Sequence, residues 1–177
     1  MGDCIIDTNV LLVASAKSDH VPVEQQEIVL DWLMTFRKNG QCKIVLDHFW
    51  KIWEEYNHKM TGQDIGLMVV TEKLQQSARF VEVEYDKHGH GCLPRELEKV
   101  VHDRSDRKFV AAAISDLTNG SQSKIINAVD SDWCDWEMAL NRAGIVVEHL
   151  IDGFCDDNHQ SETKRQSEVN RRSKGKR

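Results

Sequence analysis

Short apolar runs alternate with longer segments of helical periodicity along most of this chain. Four of the runs are largely apolar and too short to form helices, which indicates buried strands. A fifth run alternates apolar with acidic positions and is typical of an edge strand. The predicted strands cover residues 4–7, 43–46, 80–85, 125–129 and 145–150.

Between these runs, apolar side chains recur every three or four residues, as they do on the buried face of a helix. The predicted helices cover residues 9–16, 22–38, 47–59 with Asp47 as the cap, 63–76, 95–101, 106–117 and 132–142. Gly66 weakens the fourth of these predictions, because glycine is a poor helix former. Strands that alternate with helices predict an α/β fold, with a parallel central sheet covered on both faces in a three-layer α/β/α arrangement.

The apolar periodicity ends at Gly153, which divides the chain into a folded domain (1–153) and a tail (154–177). The tail is rich in Ser, Asn, Gln and charged residues, so we expect it to be disordered. The whole chain has 177 residues, the size of one domain, and 40% of them are hydrophobic, which is enough for a sizeable core. Composition therefore excludes a wholly disordered protein.

The chain lacks the sequence features of membrane and secreted proteins. No apolar run approaches the roughly 20 residues that span a bilayer, so we expect no membrane partner. The first residues include Asp3 and no basic segment, unlike a secretory signal. The five cysteines lack the spacing of a disulfide framework, which favours buried or free thiols, Cys134 among them, in a cytoplasmic protein.

Acidic side chains from four separate segments fall near one edge of the predicted sheet, beyond the carboxyl ends of its strands. They are Asp7, Glu54, Glu55, Asp103, Asp106, Asp130 and Asp132. Any one of them is explained more simply as a helix cap. Several carboxylates in one crevice would repel one another unless a cation neutralised them. Hard oxygen ligands of this kind suit Mg²⁺ or Mn²⁺.

In their order along the chain, these motifs resemble those of the PIN-domain nucleases. The matching motifs are Asp7-Thr8-Asn9 after the first strand, Glu55-Tyr56 after the second, Asp103-x-x-Asp106 before a helix of small residues, and Asp130-x-Asp132 after the fourth strand. The resemblance covers residues 3–151. It implies a Rossmann-like PIN fold, metal-dependent cleavage of single-stranded RNA to 5′-phosphate and 3′-hydroxyl ends, a frequent role as the toxin beside an antitoxin, and often a homodimer.

Carried over by position, the resemblance implies catalytic roles for Asp7, Glu55, Asp106 and Asp130. The implied metal ligands are these four together with Asp103 and Asp132, and Glu54 remains the alternative to Glu55. Ala128 stands where relatives often have Thr or Ser. The candidate substrate-binding residues are Asn9, Arg104, Arg107 and Lys108; the three cations are explained equally well as solvated charges on a helix face.

The net charge of −6 hides an uneven distribution. Residues 161–177 carry seven Lys or Arg and two Glu, a net charge of +5, which leaves −11 on the other 160 residues. An acidic body attracts RNA poorly, so the basic tail is a candidate for holding the phosphate backbone. A solubilising end and a contact with an acidic partner protein are the alternatives.

Two other functions compete with the nuclease hypothesis. One is a catalytically silent PIN-like scaffold that binds RNA or a partner protein. The other is a haloacid dehalogenase-type phosphatase, which would need a second Asp where this chain has Asn9. Among minor motifs, His88, His90 and Cys92 are expected to form a polar loop rather than a zinc site, and Trp133 is a core residue that could also stack on a base.

Overall fold

The computed structural model describes residues 2–155, which form an α/β fold around a five-stranded parallel sheet. The strands are β1 (Cys4–Ile6), β2 (Ile44–Asp47), β3 (Ala78–Val81), β4 (Lys124–Asn127) and β5 (Val146–His149). The seven helices of this described part are α1 (Thr8–Ala14), α2 (Val23–Lys38), α3 (Lys51–Lys59), α4 (Ile65–Gln76), α5 (Arg95–Glu98), α6 (Arg107–Thr118) and α7 (Asp132–Arg142). The predicted α/β class is confirmed.

The strand order is β3-β2-β1-β4-β5, and all neighbouring strands are parallel. Cys4 of β1 pairs with Ile44 on one side and with Lys124 on the other. The chain therefore builds outward in both directions from β1. In parallel sheets the crevice at such a reversal, beyond the carboxyl ends of the two central strands, is the usual place for a functional site.

Strands β1 and β2 are buried along their length and β4 from its second residue onward, which explains the apolar residues that they share. Helices α1, α2 and α4 pack against one another, and α6 packs against β1, β4 and α3, an arrangement compatible with three layers. Gly66 has a packing role in α4: a Cβ there would lie 2.6 Å from the carbonyl oxygen of Leu11. Glycine thus allows α4 to approach α1 closely.

Several predicted boundaries differ from the structure, and two of these differences have a clear local reason. Strand β3 ends at Val81, because its partner β2 ends at Asp47 and leaves residues 82–85 without a neighbouring strand. Helix α3 begins at Lys51 rather than directly after Asp47. The Asp47 carboxylate still accepts hydrogen bonds from the backbone N–H groups of Lys51 and Ile52, so the predicted cap is present across an intervening turn.

The expectation that Cys134 is a simple thiol is wrong in this structure, because Cys134 is joined to Cys155 by a disulfide. Their separation of 21 residues belongs to no recognisable framework, and the two meet only because α7 and the segment after β5 are adjacent. Of the predicted tail, Phe154 packs against the core and Cys155 is bonded to α7. The rest of the tail lies outside the described residues. Between residues 2 and 155, no helix combines the length and apolarity needed to cross a membrane.

Candidate active site

Asp7 follows β1 directly and is almost completely buried, with 4% of its surface exposed. One of its carboxylate oxygens accepts the backbone N–H of Asn9 at 3.0 Å and caps α1, and the other accepts the indole N–H of Trp133. The pKa of Asp7 is raised to about 6, chiefly by burial; its two hydrogen bonds lower the pKa, and the charges of Asp130 and Glu55 raise it. Asp7 is thus held in place by two hydrogen bonds, and its carboxylate is repelled by that of Asp130.

Asp106 precedes α6 and is also buried. Burial raises its pKa to about 8, and the charges of Asp7, Asp103 and Asp130 add to the increase, while Lys108 opposes it. Carboxylates from three distant segments thus act on one another at the carboxyl ends of β1 and β4. We call the set Asp7, Asp103, Asp106, Asp130 and Asp132 the carboxylate cluster.

Three members of the carboxylate cluster have the geometry of a metal site. One oxygen each from Asp103, Asp106 and Asp132 lies within 4.8 Å of the others. Asp103 is exposed and is oriented by Ser105, whose backbone N–H and hydroxyl donate to it at 2.8 and 2.7 Å. Burial raises the pKa of Asp132, and the charge of Asp130 adds to this increase. These oxygens fit a hard divalent ion such as Mg²⁺ or Mn²⁺.

The loop after β4 is held to the start of α1 by a network of amide side chains. Asn9 donates to the side chain of Asn127 at 3.0 Å and accepts the backbone N–H of Ala128 at 2.9 Å. Asn127 in turn accepts the backbone N–H of Asp130 and donates to its carbonyl oxygen. The structure therefore uses the Asn9 amide, predicted to bind substrate, to fix the loop that carries Asp130.

Glu55 faces the site from α3, but protein cations compensate its charge. Thr8 donates to it at 2.6 Å, Lys59 lies 3.1 Å away, and Lys108 forms an ion pair with its second oxygen. Burial pushes the pKa of Glu55 upward, yet Lys108, Thr8 and Lys59 together bring it below its ordinary value. Glu54, the alternative candidate, lies on the exposed side of α3 and pairs with Lys51.

The three predicted phosphate-binding cations lie in different surroundings. Arg104 is exposed near the cluster. Arg107 pairs with Glu98 at 3.0 Å and donates to the carbonyl oxygen of Val101. Lys108 is buried, where it holds Glu55 and donates to the carbonyl oxygen of Ser105. Of the three, only Arg104 is exposed to solvent.

The structure also places the aromatic and histidine candidates. Trp133 is fully buried against Asp7 and Phe109, so its ring is not available to stack on a base. His102 lies at the rim, with Nε2 3.7 Å from a carboxylate oxygen of Asp132. Within residues 2–155, the groupings of metal-ligating atoms do not include the histidines of the 86–94 loop, whose backbone is folded around Asp86.

The raised pKa values predict that metal binding releases protons. Asp7, with a pKa of about 6, and Asp106, with a pKa of about 8, both hold protons in part of the neutral range. A divalent ion favours the ionised carboxylates and displaces these protons. We expect the apparent affinity for Mn²⁺ to rise by at least tenfold between pH 6 and pH 8.5. Titration calorimetry in buffers of different ionisation enthalpy measures the protons released, and a flat pH profile would contradict the prediction.

No protein-family model, curated protein or solved structure matches this chain. What the site can do therefore follows from its own residues. They combine crowded hard carboxylates, a fixed loop after β4, a compensated Glu55 and an exposed arginine at one edge of the sheet.

Proposed function

We propose that this chain is a metal-dependent endonuclease with a Rossmann-like PIN fold that hydrolyses phosphodiester bonds of single-stranded RNA. The observation that carries the proposal is the carboxylate cluster, where burial and, to a smaller extent, mutual repulsion raise the pKa of both Asp7 and Asp106. Folding forces these charges together at an energetic cost, and a bound divalent cation offsets that cost. The strand order around β1 and the order of the acidic motifs support the same assignment.

The surroundings of each residue suggest its role in the proposed reaction. Asp103, Asp106 and Asp132 would hold the ion, with Asp7 and Asp130 beside them. When bound, such an ion supplies charge neutralisation of the scissile phosphate and a more acidic water as the nucleophile. The indole N–H of Trp133 and the backbone N–H of Asn9 hold the Asp7 carboxylate in place, and Arg104 is free to bind a neighbouring phosphate of the RNA.

The site favours a nuclease over the two alternatives. A silent scaffold would retain a repulsive cluster with nothing to offset it. A phosphatase of the haloacid dehalogenase type needs a carboxylate at position 9, where the Asn9 amide is instead bonded to Asn127 and Ala128. The roles as a toxin with an antitoxin partner, as a homodimer and in the cytoplasm are proposals that rest on the family resemblance and the sequence.

The decisive experiment incubates the full-length protein with end-labelled single-stranded RNA, with Mg²⁺, with Mn²⁺ or with a chelator. We expect cleavage that requires the metal and leaves 5′-phosphate and 3′-hydroxyl ends. A DNA strand of the same sequence tests substrate class, and a small phosphate monoester tests the phosphatase alternative. Release of phosphate from the monoester with intact RNA would reject the nuclease proposal, and binding without cleavage would indicate a scaffold.

The basic tail gives a separate prediction about RNA affinity. Removing residues 158–177 deletes the seven Lys or Arg of the 161–177 segment and keeps Cys155. With fewer cations on the phosphate backbone, binding weakens and depends less steeply on salt. We expect the affinity for single-stranded RNA at low salt to fall roughly 10- to 100-fold, with a smaller slope against salt concentration. Fluorescence anisotropy measures both, and unchanged affinity would assign the tail another role.

A further inference from the structure

A second group of metal-ligating side chains includes Cys134, which lies two residues after Asp132 in α7. It consists of Cys134, His149 and Cys155, with ligand atoms within 4.8 Å of one another. The three come from α7, the end of β5 and the segment that follows β5. We call them the Cys/His group. We propose that in its reduced form the Cys/His group binds a zinc ion, with Glu137 as the fourth ligand.

The distance between Cys155 and His149 matches zinc coordination, whereas the two sulfurs, bonded to each other in this structure, must separate before they can bind an ion. Ligands at Zn–N and Zn–S distances of about 2.0 and 2.3 Å in a tetrahedral arrangement lie about 3.6 Å apart. The Sγ atom of Cys155 lies 3.6 Å from Nε2 of His149. The Glu137 carboxylate is 4.0 Å from the same nitrogen and lines the same pocket, so a small side-chain movement would bring it to the ion. Two sulfurs and an imidazole form a softer ligand set than the carboxylate cluster, and zinc is the metal that such sets favour.

A pocket of about 180 Å³ opens onto part of this group and leaves room for an ion beside it. Its lining includes Glu137, His149, Gly153 and Cys155. In this disulfide form the Nδ1 atom of His149 accepts the side-chain N–H of Asn127 at 3.0 Å. Zinc binding through Nε2 therefore needs the other tautomer of the ring, and the ring gives up this hydrogen bond when the ion binds.

A structural disulfide alone does not account for this arrangement. A disulfide needs only the two sulfurs. Here the imidazole of His149 also lies within 3.7 Å of the Cys155 sulfur, and the Glu137 carboxylate lies 4.0 Å from that imidazole. Elsewhere in the described part, Cys92 is an exposed free thiol and Cys4 is a buried one. A chain that has free thiols as well as a disulfide fits a protein whose cysteines are reduced in a reducing compartment. In that form, Cys134 and Cys155 are two thiols next to a histidine.

The two forms interconvert by balanced steps. A phosphine reductant cleaves the Cys134–Cys155 bond with one water, giving two thiols and the phosphine oxide. Zinc binding then replaces the two thiol protons, which are released to solvent, and the side chains rotate so that both sulfurs face the ion. The ion would join α7, whose first residue is Asp132, to the segment after β5.

The test compares zinc retention by the full-length protein after phosphine reduction and without it. Each sample receives ZnCl₂, is passed over a weak chelating resin and is analysed for metal. We expect one equivalent of zinc on the reduced protein and none at this site on the disulfide form. Cys155→Ser and His149→Ala should lose the zinc, and Glu137→Gln should weaken its binding about tenfold. Cobalt substitution should show thiolate-to-metal charge-transfer absorption that disappears in Cys155→Ser.

Two control variants separate this site from the rest of the molecule. Cys92→Ser removes a thiol that has no place in the group and should keep the zinc. Asp106→Asn alters the carboxylate cluster and should also keep it, so the result stands whether or not the nuclease proposal holds. Absence of retained zinc on the reduced protein, or retention that is indifferent to His149→Ala, would overturn the proposal and leave a disulfide alone.

Discussion

Asp106→Asn is expected to abolish Mn²⁺-dependent RNA cleavage and, in the same protein, to stabilise the metal-free fold at alkaline pH. Loss of one ligand carboxylate removes charge stabilisation of the transition state, so we expect cleavage to fall by roughly 10³-fold or more. The stability gain arises because the variant removes a buried charge from a repulsive cluster. A substitution that eliminates activity usually costs stability, and the opposite sign makes this prediction specific.

The sign of the pH dependence follows from the two states. Folding raises the pKa of Asp106 from 3.8 to about 8, so between these values the folded protein holds a proton that the unfolded chain has released. The free energy of unfolding therefore declines as pH rises through this window, and the whole penalty is present above pH 8. We expect Asp106→Asn to raise the free energy of unfolding by on the order of 2 kcal/mol at pH 9, a modest gain because neighbouring carboxylates share the protons. At pH 4 the gain should be close to nothing, because the penalty has hardly developed at that pH.

Urea unfolding of metal-free wild type and Asp106→Asn at pH 4, 7 and 9 measures the effect. Asp116→Asn is the matched control, since Asp116 is buried but paired with Arg79 and bonded to the backbone of Ser123. Loss of a compensated carboxylate should destabilise the protein at pH 7. Retained cleavage by Asp106→Asn, or a loss of stability at pH 9 like that of Asp116→Asn, would contradict the assignment.

The sequence predicts those parts of the fold that depend on local pattern. Residues 4–6 and 125–127 are apolar except for Asn127, fully buried and too short for helices, so β1 and β4 were predictable. Parallel strands then place the residues after each carboxyl end at one edge of the sheet. Asp7 and Asp130 are therefore close enough for the charge of Asp130 to raise the pKa of Asp7. The predicted range of the third strand, 80–85, differs from the observed β3 (Ala78–Val81), because the end of this strand depends on where its partner β2 ends.

Other parts of the site depend on packing that no local pattern reveals. The buried position of Lys108 requires α6 to pack against α3, and the sequence shows only a lysine near the start of a helix. Asn127 gave a weak signal, as a polar residue within a buried strand, but its partner Asn9 is 118 residues away. The Cys/His group joins three elements that are neighbours only in the folded chain. Local periodicity fixes elements, whereas side-chain partners depend on tertiary contacts.

Lys108→Met is expected to cause the largest loss of stability of any substitution at the site. Both partners of the ion pair are shielded from water, with 9% of the Lys108 side chain and 15% of the Glu55 side chain exposed. Methionine keeps the aliphatic stem and leaves the Glu55 carboxylate buried without its main cation. Removing one partner of a buried pair costs about 3–5 kcal/mol, and since Lys59 and Thr8 remain, we expect roughly 3 kcal/mol.

Three comparisons test this interpretation. Lys59→Met removes the other cation from Glu55, but Lys59 is half exposed, so its loss should cost less than about 1 kcal/mol. Folding lowers the pKa of Glu55, so its stabilising effect is present at neutral pH and fades in acid; the cost of Lys108→Met should therefore shrink at pH 4. The double variant Glu55→Gln/Lys108→Met should regain most of the lost stability at pH 7, because no uncompensated charge remains buried. If Lys108→Met costs no more than Lys59→Met, the lysine is not the cation that holds Glu55. If the double variant is stable and cleaves RNA like the wild type, Glu55 contributes only to stability, and the carboxylate cluster cleaves RNA without it.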